Sequence, residues 1–417
     1  MEKDLQFKRN FIWNSLGTGI NAFSSLFLLI IVTRINGINE AGIYTIAFST
    51  ACILYVIGVY AGRIFQVTET NKEFTDNEFI INRVLTVIVM MICTFGFVTI
   101  RHYDFYKSLI FILLAAYKSL EAFSEVIYGI MQKKELLYKV GQSFFIKATL
   151  MIIIFFIIDL LTKNLIIACS SMIVVWLVVI CTYDFFTIKD SINFKKGIKW
   201  KNVFAIFKNG FFVFSITFLG LYVMNAPKYS IDSLMTNDMQ TIFGIIVMPA
   251  SVISLFGQFL IHPYLNKLVN LYSENEYKEL KALERKIIIY IIAFGIISSL
   301  LAYTLGVPVL QLVYGVDLRG YSIMLTVIII ASTLYNIGLI YSNILTTMRH
   351  TFIQFIIYIV TSIIAIITSQ MFVKNERIQG ATTAYFTIMF FLFVFYTVAE
   401  RIIIKIERKK YEPIERN

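Results

Sequence analysis

Twelve apolar stretches run from Phe11 to the edge of the basic C-terminal tail of this 417-residue chain. The hydrocarbon core of a membrane is about 30 Å thick, and a helix crosses it in about 20 residues. In lipid every backbone polar group must be bonded within the protein, so only helices and closed barrels span. Stretches this long without alternation are helices, and the chain reads as an all-α integral membrane protein. The spans lie at roughly 11–33, 41–65, 84–100, 105–130, 140–161, 165–186, 205–226, 242–264, 287–307, 323–346, 352–372 and 381–400.

Composition agrees. Charged residues make up 15% of the chain, against about 25% in a soluble domain. Cys52, Cys93, Cys169 and Cys181 all lie inside apolar stretches and form no CxxC pair. They read as small buried hydrophobes, with neither a disulfide framework nor a metal site. The first stretch is full length and lacks a small-residue cleavage site, so it reads as a span rather than a cleaved signal peptide.

Twelve spans put both termini on one side. Of the 37 Lys and Arg, 27 fall on the N-terminal side, 8 on the other, and Lys118 and Lys147 inside spans. The positive-inside rule makes the N-terminal side cytoplasmic. The net charge of +11 therefore sits mostly where anionic headgroups attract it. No soluble domain exists to carry nucleic-acid binding, so none is expected. The expected location is a bacterial plasma membrane.

The longest polar connection runs from about Thr187 to Phe204 and contains KDSINFKKGIKWKN. It reads as a short amphipathic segment along the cytoplasmic interface. It divides the chain into two six-helix bundles, 1–200 and 201–417. Transporters are often built from two such halves. A faint repeat fits: GIYTIAFS (Gly42 to Ser49) and IFGIIVMPAS (Ile242 to Ser251) each follow a basic residue at the outer end of the preceding span, Arg34 and Lys228.

A charge at bilayer depth costs about 2.5–3.5 kcal/mol on insertion scales and faces a cavity or a partner. The fourth span reads AAYKSLEAFSEVIYGIMQ. Lys118, Glu121, Glu125, Tyr128 and Gln132 share an arc of about 80° on this helix. Either Lys118 pairs with Glu121 or Glu125 to lock helices together, or the stripe is a hydrated, ligand-facing wall. In the first span Asn14, Thr18, Asn21 and Ser25 form an uncharged stripe, a polar face or interhelical hydrogen-bond glue. Lys147 lies in the fifth span with Ser143 one turn earlier; snorkelling to the interface is an alternative to a role inside. Asp184 reads as interfacial. Ser332, Asn336, Asn343 and Thr347 form a weaker stripe in the tenth span.

Nothing in the chain performs covalent chemistry. His102, His262 and His350 stand at span ends, and no Walker, GxSxG or HExxH motif occurs. The chain reads as a carrier rather than an enzyme, with no cofactor.

The opening RNFIWNSLGTGINAFSSLFLLIIVTRINGINEAGIYTIAFS (Arg9 to Ser49) contains a WNxxG entry (Trp13, Asn14, Gly17), a TRIxG exit (Thr33, Arg34, Gly37) and AGIY (Ala41 to Tyr44). It resembles the start of bacterial polysaccharide flippases, the O-antigen and capsule repeat-unit exporters of the multidrug/oligosaccharidyl-lipid/polysaccharide (MOP) superfamily. Twelve spans split six and six fit that family over the whole length. The resemblance implies an undecaprenyl-pyrophosphate-linked oligosaccharide moved from inner to outer leaflet by alternating access. It implies a V-shaped pair of bundles around a central cationic cavity. On it, Arg34, Arg63, Lys118, Lys147 and Lys228 are the candidate anion contacts, and Glu121 and Glu125 tune Lys118 or couple an ion. An ideal helix turns Arg34 away from the Asn14–Ser25 stripe, so its role rests on the resemblance; Arg63 could equally be an interfacial anchor. The implied partners are the lipid-linked oligosaccharide, membrane lipids, a polysaccharide polymerase and glycosyltransferases, with the chain a monomer. Two alternatives stand: a cation-coupled small-molecule exporter of the same superfamily, which would favour acidic residues on its path, and a peptidoglycan-precursor flippase, a family that usually adds two further spans.

Overall fold

A computed structural model of the chain describes residues 2–60, 62–68, 73–189 and 198–411. Residues 190–197 of the sixth connection, within the expected interfacial segment, lie outside the described residues. The chain forms two compact units, Met1–Phe218 and Leu219–Asn417. The division falls inside the helix Trp200–Leu234.

The first unit comprises α1 (Glu2–Ile35), α2 (Ile38–Val59), α3 (Gly62–Thr68), α4 (Asp76–Arg101), α5 (Phe105–Lys133), α6 (Leu137–Thr162), α7 (Leu165–Val179), α8 (Phe185–Ile188) and the first half of α9 (Trp200–Leu234). A π-helical turn, Ile180–Asp184, joins α7 to α8. The second unit holds the rest of α9, α10 (Asn237–Ile261), α11 (Leu265–Ser273), α12 (Tyr277–Leu301), α13 (Val307–Tyr314), α14 (Ser322–Thr347) and α15 (Thr351–Tyr411). Among the described residues there is no strand.

Among the described residues, ten helical segments are long and apolar enough to cross a membrane. With 29 residues, α5 matches them in length and differs in its charges. The long α15 is broken at Arg377, which sits at φ 57° and ψ −130°. Beyond it Gly380 lies against the backbone of Phe372, an approach that leaves no room for a Cβ. Counting α5 once and α15 twice gives twelve legs, as the apolar runs predict, and an even number returns the chain to its starting side.

Local chemistry sets the helix ends. Thr75 and Glu78 form a reciprocal capping box at the start of α4, so this helix begins well before its apolar window. Glu78 also accepts from Asn202 Nδ2 at 3.0 Å, which ties the start of α9 to the first unit. Asp104 caps α5 through Lys107 N at 2.9 Å, and Asn164 caps α7. Tyr60 ends α2 in the left-handed region, at φ 42°. Stacking on Phe214, with ring centroids 4.5 Å apart, holds it there.

The α1–α6 contact is built on two glycines. Gly17 and Gly141 meet backbone to backbone, and Gly141 lies on the carbonyl of Trp13. Small residues allow such an approach between membrane helices. Gly141→Val is expected to lower stability by about 1–3 kcal/mol, read as an earlier thermal transition of the detergent-purified protein. Gly19→Ala, where nothing lies within 4 Å, should leave that transition in place or raise it.

Candidate functional site

The polar stripe of α5 faces α2, α3 and α6 within the first unit. Lys118 Nζ bonds Glu121 at 2.6 Å, one turn away on the same helix. Three rings surround the ammonium: Phe48 at 5.1 Å, Tyr117 at 5.2 Å and Tyr55 at 5.6 Å. Each ring face adds a favourable cation–π contact.

The second pair crosses helices. Because α2 stops at Tyr60, α3 starts in a new direction and carries Arg63 to α5. Arg63 reaches Glu125 at 3.4 Å and Gln132 Oε1 at 3.0 and 3.2 Å. Its guanidinium stands 5.8 Å from the Tyr128 ring. The same break exposes the Gly58 carbonyl, which accepts from Arg83 Nη1 and, at 2.7 Å, from Thr86 Oγ1. A cation at a helix C-terminus is favoured by the dipole. Arg83 also interacts electrostatically with Glu125.

The third pair is sealed. Lys147 of α6 bonds Asp184, and both side chains are 0% exposed. Its other two protons go to Ser124 Oγ and Tyr128 Oη, each at 2.8 Å. Ser143 donates to Asp184 at 2.6 Å and contacts Tyr128 Oη at 2.9 Å. Three ammonium protons thus meet three acceptors, and the hydroxyls close a ring.

Two sequence expectations are corrected here. Asp184 is not interfacial but fully buried, in the last residue of the π-helical turn. The extra residue of such a turn shifts the face on which the following side chains lie. Lys147 does not snorkel, because its partner is inside. Sequence reasoning also missed Arg83, which stands one residue before the span expected at 84–100 and is 2% exposed.

Arg63, Lys118, Glu121, Glu125 and Lys147 therefore come together. Arg34 is exposed in the last turn of α1. Lys228 is half-buried on α9 in the second unit. The cluster holds four cations, Arg63, Arg83, Lys118 and Lys147, against three carboxylates, Glu121, Glu125 and Asp184. One positive charge is in surplus, so the pairing is nearly complete rather than the strongly cationic lining the resemblance implies. Accessibility is graded: Arg63 is 21% exposed and Lys118 and Glu125 12%, against none for Lys147. The first two pairs can exchange a partner for an incoming ion; the third cannot without helix movement.

The remaining polar stripes divide. Asn14, Asn21 and Ser25 are half-buried and Thr18 exposed, while the α1–α6 contact uses the glycines. Asn336 instead joins helices: besides bonding Ser332 O of its own helix at 3.0 Å, it donates to Ile253 O of α10 at 3.4 Å and packs on Gly257 of that helix.

No family model matches the chain. Capsular polysaccharide biosynthesis protein CapF of Staphylococcus aureus is 27% identical over 334 residues, covering 77% of this chain and 80% of that protein. Among solved structures, an inward-facing multidrug resistance MATE family transporter of the MOP superfamily superposes with a TM-score of 0.72 at 11% identity, covering 96% of this chain and 99% of that one. A MOP superfamily transporter from Pyrococcus furiosus, described as having a binding pocket of reversed polarity, gives 0.60 at 14% identity, covering 96% and 95%. Both neighbours are transporters. The chain is a multi-pass membrane protein with the fold of the MOP exporter superfamily, in keeping with the resemblance of its opening segment.

Proposed function

We propose that this chain flips an undecaprenyl-pyrophosphate-linked oligosaccharide repeat unit from the inner to the outer leaflet by alternating access, for capsule or O-antigen synthesis. The observation that carries the reading is the accessible part of the α5 cluster. Lys118 and Arg63 are held inside a membrane bundle by carboxylates they can exchange, and the cluster keeps one surplus positive charge. A pyrophosphate crossing a low-dielectric region needs such cations, because Coulomb interactions there are several times stronger than in water. The similarity to a protein named for capsular polysaccharide biosynthesis supports the same class of cargo. Arg34 and Lys228 are further candidate contacts at other positions on the path. The lipid-linked oligosaccharide is the expected ligand, and the polymerase and glycosyltransferases of the same synthesis are the expected partners.

The half-buried Glu125 and the nearby Glu121 favour a second reading, an exporter of small organic cations. Binding to the purified protein separates the two. Lipid-linked oligosaccharide should bind, and Lys118→Met should weaken it by about tenfold or more, the value of one charge-assisted hydrogen bond. Binding of a lipophilic cation, with none of the pyrophosphate lipid, would establish the second reading instead.

A further inference from the structure

The second unit contains a charged triad that the α5 cluster does not involve. Lys281 and Glu284 lie one turn apart on α12, and Glu400 lies near the end of α15. Lys281 Nζ bonds Glu284 at 2.8 Å and Glu400 Oε1 at 2.5 Å. One ammonium therefore serves two carboxylates. Glu284 is buried and Glu400 is 0% exposed. The other oxygen of Glu400, Oε2, is fully buried and accepts no hydrogen bond. The Glu284 and Glu400 carboxyls thus meet on one ammonium, each in the other's electrostatic field.

This arrangement does not balance as two carboxylates. Lys281 neutralises one negative charge, and a second would remain buried with a bare oxygen beside another carboxylate. Buried charges are tolerated when paired and fully hydrogen-bonded. A single proton corrects both faults. Placed on the buried Glu400 carboxyl, it removes the excess charge and supplies an O–H donor beside the Glu284 carboxylate. Two close carboxyl groups sharing one proton is the general outcome when like charges cannot both ionise. A metal cation fits poorly, since it would want about six oxygen ligands and Lys281 already occupies Oε1.

We propose that Glu284 and Glu400 form a proton-binding site, one proton shared between them with Lys281 as the fixed counter-charge. Besides these three, Tyr341 of α14 faces the site. His350 and Glu407, 3.8 Å apart, form a separate pair. Lys281 is 37% exposed and gives water a route to the carboxyls. By the distribution of Lys and Arg this is the cytoplasmic end, so the proton exchanges with the cytoplasm. Losing it leaves two anions on one ammonium across the α12–α15 contact, which should loosen. A role for that step in a transport cycle rests on the export reading above; proton binding itself does not.

The test is infrared titration of the full-length protein in lipid nanodiscs, reading the C=O stretch of protonated carboxyl groups. A band equivalent to about one proton per chain should be present near neutral pH and vanish as pH rises. Glu400→Gln should abolish it. Glu284→Gln should abolish it near neutral pH as well, because Glu400 then pairs simply with Lys281 and ionises. The exposed Asp317→Asn should leave it unchanged. If one variant fails to fold, the other and the wild-type titration still decide. No titrating band in the wild type, or a band untouched by both substitutions, overturns the proposal. So does loss of the band on adding sodium at fixed pH, which would assign a metal cation instead. No cargo is present, so this outcome is independent of the export reading.

Discussion

Lys147→Met should destabilise the first unit by about 3–5 kcal/mol, the usual cost of leaving one partner of a buried ion pair alone. Asp184 would keep only the hydrogen bond from Ser143 and carry an uncompensated charge at zero exposure. Asp184→Leu should cost a comparable amount by stranding the ammonium. The double variant, Lys147→Met with Asp184→Leu, should recover most of the loss. Apolar residues of similar size replace buried pairs at little cost, and Tyr128 and Ser143 still bond each other. Thermal inactivation of purified protein reads the series directly. A double variant no more stable than the worse single variant would show that the pair is not coupled. Export by the double variant then separates a lock from a contact. Retained export assigns Lys147 to holding α5, α6 and the π-helical turn together, and leaves Lys118 and Arg63 as the groups that meet cargo.

The ion pairs show how far the sequence could be read. Lys118–Glu121 is a contact at i and i+3, and helical spacing alone suggests it. Arg63–Glu125 spans 62 residues and Lys147–Asp184 spans 37. Both depend on irregular backbone: the left-handed break at Tyr60 for one, the π-helical turn before Phe185 for the other. Neither is marked plainly in the sequence: the left-handed residue is a Tyr set between Gly58 and Gly62 rather than a Gly itself, and the π turn, Ile180–Asp184, contains no Gly or Pro. Lys281 and Glu400, separated by 119 residues, meet only through tertiary packing. The twelve legs, in contrast, follow from run length and the thickness of a bilayer, and so were legible throughout. What run length conceals is the ends, where Thr75 starts α4 early and Arg377 divides α15.

The largest functional effect is expected at Lys118. It is partly exposed, ringed by Phe48, Tyr55 and Tyr117, and bound to a carboxylate on its own helix. An anionic headgroup can therefore displace Glu121 without separating helices. Removing the charge by Lys118→Met takes away one charge-assisted contact, worth about 1.5–3 kcal/mol, and leaves Glu121 repelling the pyrophosphate. The two effects together should reduce transport by about 100-fold or more, with Lys118→Arg retaining a larger share. Arg63→Met should act in the same direction, with an added loss of α3–α5 attachment through Gln132 and Glu125.

Reconstitution isolates flipping from every other step of synthesis. Wild-type protein and Lys118→Met, matched for insertion and thermal transition, are placed in liposomes carrying undecaprenyl-pyrophosphate-linked oligosaccharide, and its appearance in the opposite leaflet is timed. If Lys118 carries the pyrophosphate across, the wild type transports the lipid and the variant loses nearly all transport. Equal rates for the two proteins would contradict it.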